Sequence, residues 1–120
     1  MLTASLASAQ RYIGTLDIDG YTRKHVEVKL EKGTRGTATL SMRNVKFARM
    51  MPVKVDVDVP GVALADGRLQ GDGIVPTSKG KPYERHKVTR LVGKADGQQL
   101  DFRCRMGNKS VTFSGKLMQR

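Results

Sequence analysis

Residues 53–59 read VKVDVDV, with a valine at every second position and Lys54, Asp56 and Asp58 between them. A period of two is the spacing of a β-strand with one dry face and one wet face. The same period recurs along nearly the whole chain. In YIGTLDID (12–19), Tyr12, Leu16 and Ile18 share a side. In HVEVKLE (25–31), Val26, Val28 and Leu30 oppose His25, Glu27, Lys29 and Glu31. In GTATLSMRN (36–44), Ala38, Leu40 and Met42 alternate with Thr37, Thr39, Ser41 and Arg43. The segments VKF (45–47), GRLQGDGIVP (67–76), HKVTRLVGKA (86–95), QLDFRCRM (99–106) and SVTFSGKL (110–117) continue the series, making eight or nine predicted strands. Only the stretch Ala4–Gln10 reads as a turn of helix.

Between these segments lie turn signals. Asp19-Gly20, Lys32-Gly33, Asp66-Gly67, Asp96-Gly97 and Gly107-Asn108 all permit the positive φ of tight hairpins. Pro52, Pro60, Pro76 and Pro82 are expected at segment edges, where a missing N–H does least harm. A dry face repeated over so many strands has to be covered, either by a second sheet or by closure. Short hairpin spacings favour a meander, and closing it removes both edges. The expectation is an all-β chain folded as a single antiparallel up-and-down β-barrel of about eight strands, filled by side chains or holding one small ligand. Gly14, Gly71, Gly73 and Gly115 would ease the coiling that closure demands.

At 120 residues the chain is one domain. Its ends differ in character. MLTASLASAQ is small and weakly apolar, and Ala7-Ser8-Ala9 offers an A-x-A cleavage pattern. Residues 1–10 are therefore expected to be a signal-peptide remnant or a disordered terminus, with 11–120 forming the barrel. That reading places the protein outside the cytoplasm, secreted or in the periplasm or cell envelope. No run reaches transmembrane length.

Charge narrows the choice of partner. The net charge is +11, with ten basic against six acidic residues in 1–60 and twelve against five in 61–120. Such a surplus favours acidic partners. Lys79, Lys81, Tyr83, Arg85, Lys87 and Arg90 cluster in one segment, and alternation turns Arg103, Arg105 and Lys116 outward. A basic outer face of this kind suits nucleic acid or another polyanion, such as an acidic surface or a glycan. Small barrels that bind single-stranded nucleic acid add stacking aromatics. Here only Tyr83 is available for stacking, so nucleic acid is the less favoured of these partners.

Candidate chemistry is sparse. His25 and His86 lie on separate segments with no convergent partner, and the cations around His86 disfavour its protonated form. Cys104 alternates with Leu100, Phe102 and Met106, the pattern of a buried small hydrophobe. Asp56 and Asp58 share an outward face with Lys54. No catalytic set, metal site or cofactor is indicated. The dry-face residues Tyr12, Leu16, Val28, Leu40, Met42, Phe47, Val55, Val57, Phe102 and Phe113 would line any interior site for a small hydrophobic molecule. Their ordinary size favours an interior that is solid or nearly so. Met50 and Met51 are candidates for a barrel mouth.

The stretch Arg43-Asn44-Val45-Lys46-Phe47, then Met51-Pro52-Val53 and Val55–Val59, resembles the central signature of the bacterial calycin-like, lipocalin-type domain. Tyr12-x-Gly14-Thr15-Leu16 is similar to that family's opening motif, and Val111-Thr112-Phe113-Ser114-Gly115 to its closing one. The likeness spans roughly residues 11–117. It departs from the family in its basic surface and in Ala48-Arg49-Met50 ahead of the Met-Pro pair. The resemblance implies a lipocalin-like barrel, secreted or in the envelope, and carries over no catalytic residue. The combined expectation is a non-catalytic binding protein. It either encloses a small hydrophobic ligand at an open end or binds nucleic acid or another polyanion through its outer face.

Overall fold

The structure, a computed structural model, describes residues 9–33, 35–45, 55–96 and 98–118. Ten strands follow one another: β1 (Ala9–Ile18), β2 (Tyr21–Lys32), β3 (Thr37–Val45), β4 (Val55–Ala65), β5 (Arg68–Gly71), β6 (Thr77–Ser78), β7 (Lys81–Pro82), β8 (Val88–Ala95), β9 (Gln99–Met106) and β10 (Lys109–Leu117). A 3-10 turn, Glu84–His86, precedes β8. Eight of the strands close into an antiparallel barrel. The ring runs β1, β2, β3, β4, β5, β8, β9, β10 and back to β1, each strand paired with its neighbours.

The predicted inner rows form the core. Tyr12, Leu16, Val28, Leu40, Met42, Val57, Phe102 and Phe113 are all buried, together with Leu30, Leu69, Leu91, Leu100 and Met106. Phe102 and Phe113 face each other across β9 and β10 with ring centroids 5.5 Å apart, an offset stack worth about 1 kcal/mol beyond its area. Cys104 lies in this row, and burial pushes its thiol up to about 12. Among the described residues no buried side-chain N or O lacks a hydrogen-bond partner.

The closest approach at a glycine joins the first and last strands of the ring. Gly14 on β1 opposes Gly115 on β10. A Cβ on Gly14 would run into the Ser114 carbonyl oxygen, and one on Gly115 would meet the Phe113 ring at 2.6 Å. No side chain fits in that seam without parting the strands.

Several expectations need correction. Ala9 and Gln10 belong to β1, paired with Glu31 and Leu30. They are strand and not a turn of helix, so the barrel starts ahead of the expected boundary at residue 11. Pro60 is not at a strand edge. β4 runs through it to Ala65, because an extra residue bulges out at Pro60 and Gly61 where the register with Ala38 and Leu40 shifts. The β2–β3 turn takes its positive φ at Arg35 and Gly36 and not at Lys32-Gly33. The segment 67–76 is broken. β5 ends at Gly71, and Ile74 resumes beside β8 through a bridge to Val88. The β6–β7 hairpin was not predicted, and it docks on β4 through Asp58 and Thr77. Residues 1–8 of the expected signal remnant 1–10, the strand tail Lys46-Phe47, the Met50-Met51-Pro52 turn, Lys54 and Gly97 lie outside the described residues, as do the side chains of Asn44 and Val55.

Candidate functional site: a basic groove on the outer face

Recesses mark the surface of the described residues. Two lie on the outer face of β4, β5, β8, β9 and β10, and one lies at a barrel end.

The outer face follows from strand alternation and register. On β9, Leu100, Phe102, Cys104 and Met106 point in, so Asp101, Arg103 and Arg105 point out. Register sets Thr112 beside Arg103 and Ser110 beside Arg105 on β10. On the other side it sets Val92 beside Arg103 and Thr89 beside Arg105 on β8. Strict alternation would not put Arg90 on this face with Thr89. A bulge does so. Thr89 and Val92 pair with Arg105 and Arg103, which leaves three steps on β8 against two on β9. Arg90 absorbs the extra residue at φ 53°, a left-handed conformation uncommon for a side chain of its size. Its backbone N–H donates to Asp72 Oδ1 at 3.2 Å, so the β5–β6 loop holds the bulge.

The result is a groove of about 570 Å³ lined by Arg90, Arg103 and Arg105 with the Ser110 and Thr112 side chains. None of the three guanidinium groups forms an ion pair among the described residues. Arg105 Nη2 donates to the Asn108 carbonyl at 3.4 Å, which leaves its other donors open. A second groove of about 640 Å³ adjoins it beyond Val92 and Arg103. There Lys94 stands between Arg68 on β5 and Asp101 on β9, a like-charge pairing on one side and an opposite-charge pairing on the other.

Of the eight residues predicted to contact a polyanion, the groove unites only Arg90, Arg103 and Arg105. Lys79 and Lys81 sit on the β6–β7 hairpin against β4. The Tyr83 ring lies 5.7 Å from His86, tilted at 41°, and so is occupied next to the 3-10 turn. Arg85 and Lys87 flank Gly107, whose N–H donates to the Lys87 carbonyl. Burial first, then the Lys109 and Arg85 charges, holds His86 below the usual imidazole value. His25 is exposed at a bulge of its own in β2, at φ 62°.

At the barrel end, a recess of about 510 Å³ lies among Gln10, Leu30, Thr37, Leu64, Asp66 and Asp96. Beneath it the Tyr12 hydroxyl donates to Gln10 Oε1 at 2.9 Å. Burial, and then the Asp96 carboxylate, raises the Tyr12 pKa. Asp96 itself accepts the backbone N–H groups of Gln98 and Gln99, which holds its carboxyl below the ordinary range. Eight of the ten residues predicted to line an interior ligand site are buried side by side in the core, while Phe47 and the Val55 side chain lie outside the described residues. These eight belong to one buried core cluster, and this recess opens at the mouth.

Among the described residues no three His, Cys, Asp or Glu side chains gather as around a metal ion, and no helix is long and apolar enough to cross a membrane. No protein-family model, no curated protein and no solved structure matches this chain. The fold stands by itself as a closed eight-stranded antiparallel barrel, a shape consistent with the lipocalin or calycin-like type.

Proposed function

We propose that this is a non-catalytic, calycin-like barrel, secreted or in the cell envelope, that binds an anionic partner through the outer face of β8, β9 and β10. One observation carries the reading: Arg90, Arg103 and Arg105 converge on one groove, and none of their guanidinium groups forms an ion pair among the described residues. Arginines kept apart from carboxylates retain fork-shaped donor sets for sulfate, phosphate or carboxylate oxygens. The net charge of +11 would steer such partners in from a distance.

The test is binding to immobilised heparin, a generic polyanion, over a range of salt. Affinity is expected to fall steeply with salt. The Arg103→Glu/Arg105→Glu double variant should lose at least about a hundredfold in affinity, because each charge-assisted bond is worth roughly 1.5–3 kcal/mol. A matching reversal at Arg23 and Lys24 on β2 should change it by no more than about twofold. Equal losses from both pairs would show that only diffuse charge is at work.

A second reading draws on the mouth recess. Its Leu30 and Leu64 floor, next to the Tyr12 hydroxyl, suits a small amphipathic molecule. Saturable uptake of an environment-sensitive fatty-acid dye, abolished by Leu64→Arg, would support it. A linear, non-saturating signal would remove it.

A further inference from the structure

This inference rests on the basic-face reading and narrows it to a ligand class and a defined subsite. We infer that the β8 bulge latched by Asp72 builds a three-arginine, two-hydroxyl subsite for a sulfate or phosphate group on an anionic glycan.

The bulge is the first reason. A non-glycine residue at φ 53° inside a strand costs energy and persists only where the surroundings impose it. Here Asp72, eighteen residues away, accepts the Arg90 N–H and fixes the distortion. What the distortion achieves is an added outward position on β8, so that Arg90 joins Arg103 and Arg105 on one groove. Bulges commonly re-aim side chains next to binding sites.

The hydroxyls are the second. Ser110 and Thr112 stand beside Arg105 and Arg103 in register and complete the groove wall. Each hydroxyl both donates and accepts. Arginine forks with hydroxyls between them suit an ester oxyanion and the sugar hydroxyls flanking it.

The third reason separates a glycan from nucleic acid. Sequence-tolerant binding of single strands uses aromatic faces on which bases stack. Phe102 borders the larger outer groove, but its ring is buried, and neither groove presents an exposed aromatic face. Phe102 and Phe113 are buried against each other, and Tyr83 leans on His86. A lipid surface fits less well, since the exposed large apolar side chain at this groove, Val92, stands among arginines.

The experiment titrates the whole chain with a heparin octasaccharide, a dT oligonucleotide of equal charge and anionic phospholipid vesicles, at one ionic strength. The octasaccharide is expected to bind at a single saturable site and about tenfold more tightly than the oligonucleotide, the stacking contribution being absent. Arg90→Ala should weaken it about tenfold, from the lost charge-assisted bonds. Asp72→Ala should weaken it about fivefold with little change in melting temperature. Asp72→Asn retains an acceptor oxygen and should bind as the parent does, which separates positioning from net charge. Should Arg90→Ala and Asp72→Ala bind as the parent while Arg103→Glu/Arg105→Glu does not, the subsite is overturned and the basic face stands. Equal or tighter binding of the oligonucleotide or the vesicles overturns the glycan assignment alone. Failure of all three polyanions overturns both.

Discussion

Strands β2, β3 and β4 carry five basic and four acidic residues, whereas β8, β9 and β10 carry six basic and one acidic. The two regions share one barrel and one inward pattern. They differ in what their outward charges meet. On the first, Lys29 lies 3.7 Å from Glu31, and Arg43 lies 3.4 Å from Asp56. Glu27 also reaches Arg11 of β1 at 3.6 Å. On the second, register sets Arg103 and Arg105 beside hydroxyls, and Lys94 between Arg68 of β5 and Asp101, the one acidic residue of these three strands. Burial cannot account for the difference, because both sets are on the surface. A face that balances its own charge needs no partner, and a face that accumulates one sign is a surface from which a partner's charge is missing.

Both faces lie over the same buried core, and the largest expected effect tests how firmly it is packed. Phe113→Ala removes one of the two stacked rings and should cost about 3–5 kcal/mol in denaturant unfolding. A cost below about 1 kcal/mol would point to a loosely filled barrel and bring interior ligands back. Next comes an attempt to make the two faces alike. Ser110→Glu with Thr112→Glu gives Arg105 and Arg103 cross-strand partners, as Asp56 serves Arg43. Octasaccharide affinity should drop by roughly one to two orders of magnitude, with stability unchanged or slightly raised. Retained affinity would mean that charge on this face is not what binds.

A smaller effect comes from pH. The Thr22 hydroxyl and the Gly20 N–H hold Asp17 below its usual 3.8, as the Gln98 and Gln99 N–H groups do for Asp96. Both stabilise the fold above that value, and the contribution is lost as pH falls through the lowered native values. His86 is also lowered, so the unfolded chain takes up its proton first and stability starts to fall below about pH 6.5. Cys104 is raised from 9.0 to about 12, so the unfolded thiol ionises first and stability falls again above pH 9. Thermal melting across pH should trace a plateau between these limits, and His86→Gln should flatten the shoulder near pH 6. The smallest effect belongs to the balanced face. Arg43→Ala breaks an exposed pair and should cost less than about 1 kcal/mol.

Much of this was legible in the residues. QLDFRCRM coincides with β9, and its alternation foretold both the buried row and the outward Arg103 and Arg105. Closure followed from the repeated dry face. The bulges were harder to see, because an extra residue is defined only by its partner strand. Only the three-residue step from Val88 to Leu91, both buried, betrayed the one at Arg90. The Asp72 latch depends on a loop and a strand meeting in space, and the β6–β7 hairpin is two residues a side, too short for any period. The mouth recess gathers Gln10, Leu30 and Leu64 from separate strands, and no local pattern joins them.

Amide chemical-shift mapping during titration with the heparin octasaccharide tests the central claim most directly. Saturable shifts are expected at Arg90, Val92, Arg103, Arg105, Ser110, Thr112 and the Asp72 loop alone, with β2 to β4 silent. Shifts centred on Leu30, Leu64 and Gly67 at the mouth, or spread evenly over Arg23, Lys29 and Arg43, would contradict it.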